Sequence, residues 1–317
     1  MHTALKLIHS RYQQAEPGLT GASATTTSAT STPEAAPAMV ARVAGRTPLV
    51  LDSPHSGTVY PADFRSCCDM ATLRTAEDTH VDKLYDFAPD LGVAWIEALF
   101  PRSYLDANRD TLELDTGLLD GPWPHPVATD PVVLSKVRLG KGLIWKFTDD
   151  GQPIYDRALS VAEVQGRIDR CWKPYYAAVA EAVDAAHARH GFSVHINCHS
   201  MPAVAASHAT DFPGLHHADF VIGDRDGSTA DPRLSMRIVE FLRGRGYSVD
   251  YNHPYKGVEL VRRFGVPAAG RHAIQVEINR GLYMNEATFA VVQPGFDTLK
   301  QDLRGMVEML LAFDGTL

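Results

Sequence analysis

Two strand-length runs constrain this chain more than any other feature: FSVHINCH at 192–199 and AIQVEIN at 273–279. Both alternate with the period of two expected of a β-strand. In the first, Phe192, Val194, Ile196 and Cys198 share one face, and His195, Asn197 and His199 share the other. In the second, Ile274, Val276 and Ile278 oppose Gln275, Glu277 and Asn279. The apolar faces belong over a hydrophobic core. The polar faces carry imidazoles, amides and a carboxylate, and burying a carboxylate without a partner is costly. Glu277 therefore calls for a cation, a bound water or an arginine such as Arg280 or Arg109. Charged groups held in clefts are often working groups.

From residue 45 onward, apolar runs alternate with helical stretches. Further strands are expected at PLVLDS (48–53), GVAWIEALF (92–100), DFVIG (219–223) and YSVDY (247–251). Helices are expected at EDTHVDKLYDFA (77–88), from Asp156 to His190, from Pro232 to Arg245, from Gly257 to Phe264 and at the C-terminal end. Pro174 should kink the second of these, and Gly191 should stop it. Strand and helix in alternation predict an α/β fold with a sheet covered on both faces. Residues 45–317 read as a single catalytic domain. Residues 1–44 read as an N-terminal segment with a short helical stretch near Leu5 to Tyr12 and a low-complexity arm at 15–38. The arm is too poor in large apolar residues to offset its ordering entropy. Residues 111–154, rich in Gly, Pro and Asp, predict a long excursion over one edge.

Composition excludes some partners. A formal net charge of −8 argues against nucleic acid, which needs a clustered basic face. No run of about 18 apolar residues is present to span a membrane. No signal-peptide order opens the chain. The four cysteines show no C-x-x-C spacing, which fits reduced thiols and a cytoplasmic location. Oligomeric state is left open.

Five expected strands run into polar clusters: PHSG (54–57), His199-Ser200-Met201-Pro202, Asp224-Arg225-Asp226-Gly227, Pro254-Tyr255-Lys256-Gly257 and Arg280-Gly281. Ligands of open α/β sheets bind outside the carboxyl ends of strands. His55 and His199, from different strand ends, could bind zinc through neutral imidazoles, and a catalytic zinc takes three protein ligands and a water. With no cysteine in a comparable position, the third ligand should be a carboxylate. EDTHVDKL offers Asp82, flanked by Val81 and Leu84, as first choice. Asp78, one turn earlier on the same expected helix face, is second, and His80 stays open as a replacement. Ser56 and Ser200 follow histidines, but no G-x-S-x-G elbow supports a serine hydrolase.

PHSGxxYP, DTHVDKLYDFA, LDANRD, the GQPIY stretch, NCHSMP, DFVIGDRDG, NHPYKG and QVEINRGLYMNE occur in this order across residues 47–290. Together they resemble the N-formylglutamate amidohydrolase family, which is related in fold to zinc carboxypeptidases. The resemblance implies a three-layer α/β/α fold with a mixed, mostly parallel central sheet. It implies Zn2+, or another divalent metal, held by His55 and His199 with a carboxylate from the DTHVD segment, and Glu277 as general base. The chain departs from the carboxypeptidase pattern three residues after the first histidine, where Thr58 replaces a glutamate. The implied reaction is hydrolysis of N-formyl-L-glutamate to formate and L-glutamate, a last step in one route of histidine degradation. A small acidic substrate with two carboxylates suits arginine forks. Asn108 and Arg109 are the first candidates to bind it, followed by Arg280, Arg225 and Lys256, with Asn197 as a further contact. Arg280 also joins Glu277 as a catalytic candidate. Two other readings are a zinc amidohydrolase for another N-acyl amino acid or small peptide, and a non-catalytic binder of an acidic metabolite.

Overall fold

The computed structural model describes residues 38–206 and 213–316. The expected helix near Leu5 to Tyr12 and the arm through residue 37 lie outside the described residues. Seven strands form one sheet: β1 (Val40–Val43), β2 (Leu49–Ser53), β3 (Ala94–Ala98), β4 (Ser193–Met201), β5 (Phe220–Gly223), β6 (Val249–Tyr251) and β7 (Arg271–Asn279). Their order is β1-β3-β2-β4-β7-β5-β6. The centre, β3-β2-β4-β7, is parallel. β1 runs antiparallel to β3, and β5 runs antiparallel to β7 and parallel to β6. The sheet is thus mixed and mostly parallel, as expected. β1 lies ahead of residue 45, where the sequence pattern starts the body. Its four residues, VARV, are too few to show a period.

The principal helices are α1 (Met70–Arg74), α2 (Val81–Leu84), α3 (Ser135–Arg138), α4 (Val161–Arg167), α5 (Lys173–His190), α6 (Pro232–Gly244), α7 (Glu259–Phe264) and α8 (Gly295–Leu311). Alternation along the strands assigns the two cores. Leu49, Leu51, Val194, Ile196, Cys198, Ile274, Val276 and Ile278 pack with α2, α6 and α8 on one face. Val50, Ala94, Ile96 and Ala98 pack with α4 and α5 on the other. The polar residues of β4 and β7 lie on this second face.

The expected Asp156–His190 helix is interrupted by a π-turn at Ile168–Trp172, immediately ahead of Pro174. A proline inside a helix lacks a donor and clashes with the carbonyl four residues back, and a π-bulge is one way to absorb that. Gly191 caps α5 in the left-handed region at φ 80° and donates its N–H to His187 O at 2.8 Å.

β2 sits between β3 and β4. From β2 the chain turns first to one side and later returns on the other, which makes the carboxyl ends of β2 and β4 a topological switch point, the preferred ligand crevice of such sheets. Of the five polar clusters expected at strand ends, three open there. Because β5 and β6 run against β7, Asp224-Arg225-Asp226-Gly227 and Pro254-Tyr255-Lys256-Gly257 do not follow carboxyl ends on this edge. β5 ends with Gly223 beside Gln275, pointing away from Asn279.

Candidate metal centre

β2 delivers His55 through a turn pressed against the end of β3. A Cβ at Gly57 would meet Phe100 O at 2.3 Å and Leu99 C at 2.4 Å, so glycine alone permits this approach. The His55 carbonyl accepts from Asp78 N at 3.0 Å, which ties the turn to the segment before α2. β4 delivers His199, whose register partner in β7 is Glu277.

These elements bring His55, Asp78 and His199 together. His55 Nδ1 lies 3.1 Å from His199 Nδ1. Asp78 Oδ2 lies 3.0 Å from His199 Nδ1 and 3.4 Å from His55 Nδ1. One potential ligand atom from each of the three falls within 4.8 Å of the others, and all three residues are buried.

The outer contacts decide which nitrogens carry protons. His55 Nε2 is 2.7 Å from Asp106 Oδ1, a carboxylate that only accepts, so Nε2 donates. His199 Nε2 is 2.7 Å from Asn197 Oδ1. The orientation of Asn197 is fixed because its Nδ2 donates to Asp52 Oδ1 at 2.9 Å. Both neutral imidazoles therefore turn Nδ1 lone pairs inward, towards each other and towards a carboxylate oxygen. Such a convergence repels itself unless a cation or an extra proton lies among the three. The outer pattern, with each ring N–H held by an oxygen acceptor, is also that of metal-ligating histidines. The donor set fits a divalent ion such as zinc.

The first-choice carboxylate, Asp82, is not in this group. The expected 77–88 helix is helical only over Val81–Leu84, because His80 is left-handed at φ 69°. Asp78 therefore precedes the helix, and the one-face argument that paired it with Asp82 does not hold. His80 turns away, with Nε2 2.8 Å from Phe289 O.

Asp78 presents its other oxygen to two guanidinium groups: Oδ1 is 3.1 Å from Arg280 Nη2 and 3.5 Å from Arg102 Nη1. Burial raises the Asp78 carboxyl, and the facing His199 and His55 rings with the Arg102 guanidinium outweigh it, holding it well below the usual carboxylate range. Burial likewise raises Asp106, and His55, Arg102 and Arg109 overcome it. Glu277 is different. It is half-buried, accepts from Gln275 Nε2 at 2.9 Å, and is pushed up to about 7, chiefly by desolvation, with His199 opposing. A carboxyl near 7 is matched to general base work.

Arg102 and Asp106 were not singled out from sequence. Arg102 Nη2 lies 3.3 Å from Asp106 Oδ2, and Arg102 Nε is buried without a hydrogen-bond partner among the described residues. The readable signal was their i,i+4 spacing just after β3.

Other candidates fall elsewhere. Arg280 is clamped: Nε donates to Ser200 Oγ at 3.1 Å and Nη1 to Thr75 O at 3.3 Å, besides its contact with Asp78. Asn197 supports His199 as described. Asn108 Oδ1 accepts from Leu260 N at 2.9 Å, and its Nδ2 lies 3.2 Å from His199 Nε2 and 3.5 Å from Asn197 Oδ1. Arg109 is buried and gives Nε to Lys141 O and Nη1 to Asn108 O, each at 3.0 Å. Arg225 donates to Gly257 O at 2.9 Å, and Lys256 pairs with Asp226 at 2.6 Å among exposed side chains. Neither contacts the His55–Asp78–His199 group.

Comparison with known proteins adds a family. The sequence model of the N-formylglutamate amidohydrolase family matches residues 47–284. An N-formylglutamate deformylase of Pseudomonas aeruginosa is 29% identical over 276 residues, covering 85% of this chain and 94% of the relative. One from Pseudomonas putida is 27% identical over 274 residues, covering 83% and 93%. The crystal structure of an N-formylglutamate amidohydrolase from Ralstonia eutropha JMP134 superposes with a TM-score of 0.81 at 45% identity, covering 86% of this chain and 97% of that one.

Proposed function

The chain belongs to the N-formylglutamate amidohydrolase family, and from that premise we propose that it hydrolyses N-formyl-L-glutamate to formate and L-glutamate at the His55–Asp78–His199 centre. The observation that carries this reading is the inward convergence of two Nδ1 atoms and a carboxylate, with Glu277 opposite His199 in the sheet register. His55, Asp78 and His199 would hold one divalent ion, with zinc as the first choice. Lewis acidity towards the formyl oxygen, and a pKa for bound water lowered from about 15.7 to about 7, are what such an ion supplies.

The chain's own groups do the rest. Glu277 takes a proton from the attacking water as its oxygen bonds to the formyl carbon. The same carboxyl then returns that proton to the amide nitrogen as the C–N bond breaks. Glutamate leaves with a neutral amine and the formyl carbon as formic acid, whose proton then passes to the amine, giving formate and the ammonium form of glutamate. Arg102 is the better supported guanidinium for the oxyanion, since Arg280 is occupied with Ser200, Thr75 and Asp78. Asp106 and Asn197 hold the two imidazoles in the tautomer that keeps Nδ1 inward.

Charge supports the substrate class. Asp78, Asp106 and Glu277 face Arg102 and Arg280, and a divalent ion leaves the cluster net positive for a substrate with two carboxylates. An assay of the free amino acid released by the purified, metal-loaded protein tests the reading. Release from N-formyl-L-glutamate in preference to N-acetyl-L-glutamate and N-formyl-L-methionine supports it, and equal cleavage of all three contradicts the specificity.

A further inference from the structure

A further cation near the centre, Lys141, has no role in the reaction above. Trp145 is buried, and its Nε1 donates to Asp106 Oδ2 at 3.1 Å, so the indole stands one side chain from His55. Two cations lie over its ring: the Arg102 guanidinium carbon at 4.9 Å from the centroid and Lys141 Nζ at 3.8 Å. Such contacts strengthen when desolvated.

Lys141 is held in place at its backbone. Its N–H donates to Lys136 O at 2.8 Å, and its carbonyl accepts from Arg109 Nε at 3.0 Å. Arg109 thus fixes the strap that carries Lys141. The Lys141 side chain is only 16% exposed, whereas Asp149, its ion-pair partner, is 56% exposed. Burial pulls the Lys141 ammonium below its usual range, Asp149 opposes that, Arg102 adds to it, and Asp106 opposes it in turn. The pair is therefore asymmetric. Asp149 can move into water at small cost, because an exposed carboxylate gains little from an ion pair. A buried ammonium left without a carboxylate loses more.

We propose that Lys141, seated on Trp145, is the residue that selects for a carboxylate in the substrate, and that Asp149 occupies it until that carboxylate arrives. This rests on the reading that N-formyl-L-glutamate is the substrate. It assigns Lys141 to the γ-carboxylate of a glutamate skeleton whose formamide reaches Glu277. The exchange is one carboxylate for another on the same ammonium, with no bond made or broken.

Steady-state kinetics on N-formyl-L-glutamate and its neutral γ-amide, N-formyl-L-glutamine, test this for wild type, Lys141→Met and Asp149→Asn. Lys141→Met should raise KM for the diacid by about 10–100-fold, the size of a charge-assisted hydrogen bond, with metal content unchanged. KM for the γ-amide should move by less than about 3-fold. Asp149→Asn should lower KM for the diacid, because the internal competitor is gone. Equal losses on both substrates in Lys141→Met would overturn the assignment to the γ-carboxylate. If Lys141→Met does not fold, the exposed Asp149→Asn decides: a lower KM upholds the exchange, and an unchanged or higher KM overturns it. A wild type that releases no formate from the diacid would instead overturn the proposed reaction.

Discussion

Two buried aspartates, Asp224 and Asp78, show how differently a polar cluster can be built from similar parts. Asp224 follows β5 and is saturated. Its Oδ1 accepts from Gly227 N at 2.9 Å and Asn252 Nδ2 at 2.8 Å, and its Oδ2 accepts from Ser235 Oγ at 2.7 Å and Tyr251 OH at 2.6 Å. Donors and acceptors balance, so this cluster fastens one loop to α6 and β6. Around Asp78 the balance fails. One oxygen meets two guanidinium groups, and the other meets two imidazole nitrogens whose protons point outward to Asp106 and Asn197. Residue types at strand ends do not separate fastening from binding. The count of protons between facing atoms does.

Substituting Glu277 should give the largest separation between the two regions. Glu277→Gln should lose about 10²–10⁴-fold in kcat and keep its metal, as expected for a missing general base. Near-normal turnover would remove Glu277 from that role. In the other region, Asp224→Ala should lower unfolding free energy in urea by about 2–6 kcal/mol, because the two buried donors, Asn252 Nδ2 and Ser235 Oγ, lose their acceptor at about 1–3 kcal/mol each. Metal content per folded chain should not change, and a lost ion would blur the contrast drawn here.

Smaller effects probe the outer contacts. Asp106→Asn should weaken metal affinity by about 10–100-fold, the usual result of altering the partner of a ligating histidine, as read by competition with a chelator. The gentlest test is pH. Glu277 must be ionised to accept a proton, and burial pushes its carboxyl up to about 7. In log kcat/KM against pH, the acid limb should rise with unit slope and flatten at or below that point, since a bound cation favours the ionised form. A flat profile from pH 4 to 7 would contradict the assignment.

Much of the architecture was legible from pattern alone. The period-two alternation of residues 192–199 and 273–279 predicts which face is apolar and which is polar, and both faces are found as read. The histidines of PHSG and NCHS could be paired because both follow strands that flank a switch point. Three features were not legible, for physical reasons. The direction of β5 and β6 depends on pairing with β7, which strand composition does not encode, so Arg225 and Lys256 were grouped with the wrong edge. The choice between Asp78 and Asp82 turns on one backbone angle at His80, a non-glycine residue that rarely adopts the left-handed region. The surroundings of Arg109, read as a carboxylate fork, draw on a distant segment: Nε donates to the backbone of Lys141 and Nη1 to that of Asn108, and Glu113 lies 3.8 Å away.

Calorimetric titration of zinc into chelator-stripped protein tests the central claim most directly, with wild type, Asp78→Ala and Asp82→Ala compared side by side. One ion per chain in wild type and in Asp82→Ala, with loss of that site in Asp78→Ala, is the predicted result. Loss of the ion in Asp82→Ala with retention in Asp78→Ala, or no binding by wild type, would contradict it.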